Sequence, residues 1–244
     1  PCLNVDVLHC TVHKRYTSVL WGTQYANGAA CPYVIMPILA NFFQGARMSF
    51  RIRMASPADA PAMLAIYAPF VRDTTVSFEL EVPCVEEFAE RIREHVRNYA
   101  HIAVIDEDTG AVAGYAYYSA FRERPAYCWS AEISVYLEPH VQGRGLGTEL
   151  VNTLEELMRA QGIRMSEACI TSNNDASIAF HRRMGYQLCG EHHACGYKLG
   201  QWLSVVWMEK RLNPLDEPPC MLQPLERDQA EEIIAVANER LRKQ

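Results

Sequence analysis

Gln142-Gly143-Arg144-Gly145-Leu146-Gly147-Thr148 lies between an apolar, strand-like run and an amphipathic, helix-like one. Three glycines let the backbone turn tightly and bring several N–H groups toward one anion, and a helix starting there turns its positive end to the same point. The run reads as a diphosphate cradle. No Lys-Ser or Lys-Thr pair follows the last glycine, so it is not a kinase-type P-loop, and the order is not the G-x-G-x-x-G of dinucleotide folds. Upstream, Ala131-Glu132-Ile133-Ser134-Val135-Tyr136-Leu137 alternates as a strand does and stops before Pro139. Downstream, Leu146, Leu150, Val151, Leu154, Leu157 and Met158 recur at helical spacing until Gly162, a natural helix terminator. The unit is strand, anion-binding turn, helix.

In this setting the Q-x-x-G-x-G loop resembles that of the GNAT superfamily of acyl-CoA N-acyltransferases. Four further segments, two before the loop and two after it, fall in order along the chain: Thr74-Thr75-Val76-Ser77-Phe78-Glu79, Phe121-Arg122-Glu123-Arg124-Pro125-Ala126-Tyr127, Asn174-Asp175-Ala176-Ser177-Ile178-Ala179-Phe180-His181 and Gly196-Tyr197-Lys198-Leu199-Gly200-Gln201-Trp202. Together they resemble the phosphinothricin and methionine-sulfoximine acetyltransferase branch, over roughly Met48 to Leu212. One position departs from that branch, which commonly has His directly before the loop Gln. Here Val141 stands there and His140 one place earlier.

The resemblance implies an α/β GNAT fold: a mixed, twisted sheet flanked by helices, whose two central strands splay apart to admit acetyl-CoA. It implies coenzyme contacts from Val135, Tyr136 and Leu137 on the strand, from Gln142, Gly143, Arg144, Gly145, Leu146, Gly147 and Thr148 in the turn, and from Asn174. No metal is implied. Acetyl transfer to an aliphatic amine requires something to accept a proton, because the amine is mostly protonated near neutral pH. Glu132 stands where the family's catalytic carboxylate does; by itself, a strand carboxylate is equally a surface or salt-bridging group. His181 offers a donor and an acceptor as neutral imidazole and is the second catalytic candidate. A lone helical His also serves structure, and Ser177 is a candidate for stabilising the same helix start. A backbone N–H near Val135 or Leu137 would meet the developing oxyanion.

Arg122 and Arg124 carry guanidinium forks suited to carboxylate or phosphinate oxygens, with Phe78 and Tyr127 as apolar and aromatic walls. Two loop arginines are often only solvated charges. In the family's spacing they imply a small zwitterionic amino-acid analogue of phosphinothricin, methionine sulfoximine or methionine sulfone type, without choosing among the three. A GNAT-fold acyl-CoA sensor or partner module without turnover is the alternative, although it would need neither Glu132 nor the arginines.

The 244 residues are 49% hydrophobic, enough for a sizeable core. A net charge of −6 argues against general nucleic-acid binding, and no apolar run is long enough to predict a membrane span. Nine scattered cysteines predict reduced thiols and a cytoplasmic protein rather than a disulfide framework. Cys189-Gly190-Glu191-His192-His193-Ala194-Cys195 has metal-binding chemistry, but its spacing fits no common zinc pattern, and it is expected in a connection between strands. The group Cys2, His9, Cys10 and His13 is equally weak. The resemblance implies a homodimer.

Three parts are expected: residues 1–47 as an appendage outside the catalytic domain, 48–212 as the GNAT domain, and 213–244 as a Pro-containing linker with an amphipathic helix over Leu225 to Arg242. That helix, with Met221-Leu222-Gln223-Pro224 before it, reads as a packing helix or as the opening strand and helix of a second such unit. Elsewhere the patterns predict strands at Phe50–Met54, His101–Ile105, Ala111–Tyr118, Met165–Ile170, Tyr186–Gly190 and Leu203–Met208. Further helices are expected from Ser56-Pro57 to about Phe70, over Val85–Tyr99 and over Asp175–Met184.

Overall fold

The structure, a computed structural model, describes residues 49–215 and 218–243; the appendage expected over 1–47 and its Cys/His group lie outside the described residues. Seven strands, β1 (Phe50–Met54), β2 (His101–Asp106), β3 (Val112–Ala120), β4 (Ser130–Leu137), β5 (Met165–Thr171), β6 (Gln187–Lys198) and β7 (Gln201–Arg211), form one sheet in the order β1-β2-β3-β4-β5-β7-β6. Every neighbouring pair is antiparallel except β4 and β5. A parallel pair needs a crossover. Here α3 (Leu146–Gln161) supplies it, directly after the glycine turn.

Helices α1 (Ala60–Asp73) and α2 (Val85–Asn98) cover one face of the sheet, and α3 the other. In β2, Ile102 and Val104 join the core beneath α3, while Ala103 and Ile105 join the core beneath α1 and α2. A strand covered on both faces reads as a continuous apolar run rather than an alternating one. Leu150, Val151, Leu154, Leu157 and Met158 of α3 are fully buried. The helix ends at Gly162 in left-handed conformation (φ 90°), where the Ile163 N–H donates to Met158 C=O at 2.9 Å.

Several boundaries depart from expectation for local reasons. Ser56-Pro57 opens a 3-10 turn over Pro57–Asp59, and α1 proper begins at Ala60 and runs through Pro69 to Asp73. Strand β6 runs to Lys198 instead of ending at Gly190, so Cys189 through Cys195 belong to a strand and not to a connection. Two bulges, at Leu188/Gly190 and His192/Gly196, break the register along this exposed edge and hide the strand period.

Towards the C-terminus, Met221 to Pro224 form no strand, and α5 (Arg227–Arg242) packs against β1 and α3. Asn238 meets the outer edge of β1 as a strand would. Its Oδ1 accepts from the Ile52 N–H at 2.6 Å and its Nδ2 donates to the Ile52 C=O at 2.9 Å. Among the described residues no helix is long and apolar enough to cross a membrane.

Candidate active site

The glycine turn adopts the conformation that its residues permit. Gly143 and Gly145 have φ of 75° and 81°, and Gly145 is the left-handed N-cap of α3 with no side chain capping the helix. The first amides of α3 therefore remain available to an anion. Leu146 is buried and pins the turn to the core, while Gly147 lies between Leu137 and Phe180. Gln142 closes the other side by donating from Nε2 to the Leu137 C=O at 3.3 Å.

Strands β4 and β5 pair over only three positions, Ser130–Met165, Ala131–Ser166 and Glu132–Glu167. Past Glu132 they separate, and a cleft of about 580 Å³ opens between Ile133–Leu137 and Ala168–Thr171. The Glu138 N–H donates to Ala113 in β3, so by strand alternation the amides of Leu137 and Val135 face the opposite edge, into the gap. Gln142, Gly143, Gly145, Gly147, Thr148 and Asn174 line the same cleft, so a preorganised donor set faces one space.

Glu132 is the last residue of β4 that pairs with β5, at the apex of this wedge. Burial raises its carboxyl above the usual range, and the Arg122 guanidinium works against that. Arg122 is held over the rings of Phe121 and Trp207, 4.2 and 4.8 Å from their centroids. His181 lines the cleft from α4 (Asp175–Arg183). Its Nδ1 lies 2.9 Å from the Ser177 C=O, which fixes Nδ1 as donor and leaves Nε2 the acceptor, and burial lowers its pKa. Asn174 both lines the cleft and caps α4, accepting from the Ser177 N–H at 3.2 Å.

Residues 52–207 match the Acetyltransferase (GNAT) domain family. The chain belongs to the GNAT acetyltransferases. It is 37% identical over 175 residues to the L-methionine sulfoximine/L-methionine sulfone acetyltransferase of Pseudomonas aeruginosa, covering 70% of this chain and all of that protein. It is 32% identical over 179 residues to phosphinothricin N-acetyltransferase of Streptomyces viridochromogenes, covering 73% of this chain and 96% of that one. A crystal structure of a GNAT phosphinothricin acetyltransferase from Sinorhizobium meliloti in complex with AcCoA superposes with a TM-score of 0.67 at 36% identity, over 71% of this chain and 94% of the other. Membership in an acetyltransferase family sets the enzymatic reading above the binding module without turnover.

Acetyl-CoA is the acyl donor of GNAT enzymes, and the residues present suit it. Helix-end amides and two left-handed glycines fit a diphosphate, and apolar walls from Ile133, Ala168, Ile170 and Phe180 fit the thin arm between diphosphate and thioester. Other GNAT site candidates divide. Arg144 is exposed and Leu146 is core, and neither lines the cleft; the lining cation is Arg183, at the end of α4. Arg122, Arg124 and Tyr127 line a separate shallow hollow of about 550 Å³. Phe121 joins them there and stacks edge-on against Tyr127.

The segment between α1 and α2 crosses from one half of the sheet to the other. Thr171 Oγ1 donates to the Thr75 C=O at 2.7 Å, Lys198 Nζ donates to the Ser77 C=O, and the Tyr67 and Ser77 hydroxyls share a 2.6 Å bond. Phe78 packs against Gly196, where an added Cβ would sit 2.3 Å from the ring, which accounts for glycine in that strand. Lys198, Thr171 and Arg183 are not among the candidates that the sequence assigns to the site. Lys198 carries a signal by lying in the Gly196–Trp202 segment, and Arg183 as the last of a His-Arg-Arg run ending a helix that starts at the cleft, whereas Thr171 carries none.

Proposed function

We propose that this GNAT enzyme transfers the acetyl group of acetyl-CoA to the amino group of a small amino-acid analogue of the methionine sulfoximine, methionine sulfone or phosphinothricin type. The amine attacks directly, with Glu132 as general base. The carrying observation is the wedge itself: β4 and β5 part immediately after Glu132, so a half-buried carboxyl, itself outside the cleft lining, stands where a cleft edged by the amides of Val135 and Leu137 opens. A base with a raised pKa is better matched to an amine proton near neutral pH, and oriented amides offset oxyanion charge without reorganising.

The donor is held by the helix-end amides, Gly143, Gly145 and Arg183. His181, as neutral imidazole with Nε2 as acceptor, hydrogen-bonds the acceptor amine. Arg122 is near enough to Glu132 to lower its pKa, so a substrate carboxylate or phosphinate held by that guanidinium would bring an amine toward the base. Arg124 and Tyr127 extend the same hollow outward. The names of the relatives above support this substrate class. A homodimer is supported by the exposed Tyr197, Leu199 and Trp202 at the β6–β7 hairpin, an apolar tip suited to association, and sedimentation velocity reads it directly. The free thiols of the described cysteines support a cytoplasmic location.

The deciding experiment is CoA-thiol release against a panel of amino-acid analogues and neutral amines of similar size, using the parent, Arg122→Gln and Arg124→Gln. Turnover confined to the analogues, with KM raised for them in the arginine variants by roughly tenfold or more, supports the assignment, since a charge-assisted fork contributes about 1.5–3 kcal/mol. Equal handling of both substrate types by parent and variants would remove it.

A further inference from the structure

We propose that Glu167 is a positioning residue that governs the proton load of Glu132, so that the acceptor in this enzyme is a carboxyl pair rather than a single carboxylate. The inference rests on the reading of Glu132 as the base. Glu132 and Glu167 are direct partners in the parallel register of β4 and β5, and they are the final pair before the strands part. Directly paired residues of neighbouring strands present their side chains on one face, with backbones roughly 4.8 Å apart. Glu167 in turn faces Glu209 across β5 and β7. Three carboxyl groups thus stand in a row across three adjacent strands, an arrangement that like-charge repulsion opposes.

The groups that face Glu167 come from each element around it. Glu132 stands on β4, Glu209 on β7, Arg122 follows β3, and Cys189 of β6 has its Sγ within 4.8 Å of the Glu167 and Glu209 carboxylates. The bulge at Leu188/Gly190 displaces Cys189 from the regular register of β6. Glu167 is only 6% exposed, and no hydrogen bond to its carboxyl is found among the described residues. Its burial, then Glu209 and Glu132, push its pKa up to about 7, against the pull of Arg122.

Two interacting carboxyls titrate as a unit. With one proton on the pair, held by Glu167, Glu132 is ionised and free to accept. In the reaction the amine nitrogen forms a bond to the acetyl carbon, the carbon–sulfur bond breaks and the thiolate leaves, becoming the thiol with one of the two protons that the ammonium loses. The other proton goes to Glu132 and from it to water. Above about pH 7 Glu167 also ionises, and its charge makes Glu132 a stronger base.

The test is kcat/KM between pH 5.5 and 9 for the parent, Glu167→Gln, Glu167→Asp and Glu132→Gln. A neutral amide imitates the protonated state of Glu167 at every pH, and the titration of the substrate amine cancels in the ratio of parent to variant. That ratio is expected to grow roughly tenfold from pH 6 to pH 9 for Glu167→Gln, with partial recovery in Glu167→Asp. Independently of turnover, carboxyl carbon NMR of glutamate-labelled protein is expected to show one resonance titrating near pH 7, absent in Glu167→Gln and shifted to lower pH in Glu132→Gln. A ratio that is constant across pH, or a resonance that Glu132→Gln leaves unmoved, overturns the pairing. If Glu132→Gln retains parental activity, the underlying base assignment has failed. If Glu132→Gln is inactive while Glu167→Gln runs parallel to the parent, the pairing alone has failed.

Discussion

Strands β1 to β4 and strands β5 to β7 belong to one sheet but live in different surroundings. In the first group both faces are covered, by α1 and α2 on one side and α3 on the other, and every residue of β2 is buried. In the second group Ala168, Ile170, Val206 and Met208 face the core on one side, while the other side carries Glu167, Glu209, Trp207 and Cys169, and most of β6 is exposed. The first half is built for packing and the second leaves polar groups within reach of a substrate. The proposed chemistry lies on the seam, where Glu132 of the covered half meets Glu167 of the open half.

The sharpest way to break that division is at the seam itself. Glu132→Gln is expected to lower kcat by about 10²–10⁴-fold at neutral pH. Acetyl-CoA affinity and thermal stability should change little, because the glycine turn and the α3 core are untouched. Stopped assays paired with calorimetric titration of acetyl-CoA check this, and full activity in the variant would move the base elsewhere.

Packing gives the next largest contrast. Leu154→Ala, fully buried beneath the covered half, is expected to cost about 2–5 kcal/mol of unfolding free energy. Leu188→Ala, 54% exposed on β6, should stay within about 0.5 kcal/mol. Urea melts of the two variants read both numbers, and similar losses would mean that the open half is covered in solution.

The same contrast governs what the sequence discloses. The glycine turn and α3 were legible because turn chemistry and helical period are local and because α3 has one buried face. The two-sided strands showed themselves as apolar runs. Strand β6 shows only its first residues in the sequence, since exposed residues carry no burial period and its bulges interrupt alternation. Long-range register was not legible at all: Glu167 gains meaning only when β5 is set beside Glu132 and Glu209, and Thr75 only when Thr171 closes on it. Arg144 drew attention by sitting inside the motif, whereas folding brings Arg183 from α4 into the cleft.

Titration separates the halves by sign. His101, 2% exposed in the covered half with neither ring nitrogen hydrogen-bonded, has its pKa lowered to about 3 by burial and by His95, with Asp59 opposing. Between pH 6.5 and 3 the unfolded chain takes a proton that the folded state refuses, so this contribution is complete above about pH 6.5 and falls as pH drops. From pH 6.5 to 5 the loss is at most about 2 kcal/mol. Glu167 acts oppositely, because a raised carboxyl pKa makes the folded state the better proton binder between its unfolded value and about 7, and acid then stabilises. On moving from pH 7 to pH 5, His101→Phe is expected to gain stability relative to the parent and Glu167→Gln to lose it. Denaturant melts at the two pH values decide, and shifts of the same sign in both variants would refute the opposition.

A smaller loss is expected at the far edge of the covered half, where β1 would present unpaired backbone groups without α5. Asn238 satisfies both the N–H and the C=O of Ile52, a residue only 1% exposed, so Asn238→Ala leaves two backbone groups to find water from a buried position. The expected cost is about 1 kcal/mol, with hydrogen exchange at the Ile52 amide accelerated about fivefold and exchange in β5 and β7 unchanged. Activity should hold, since neither Ile52 nor Asn238 lines the cleft. Faster exchange throughout the sheet would instead show that α5 supports both halves alike, and that the seam at Glu132 is a chemical boundary without being a mechanical one.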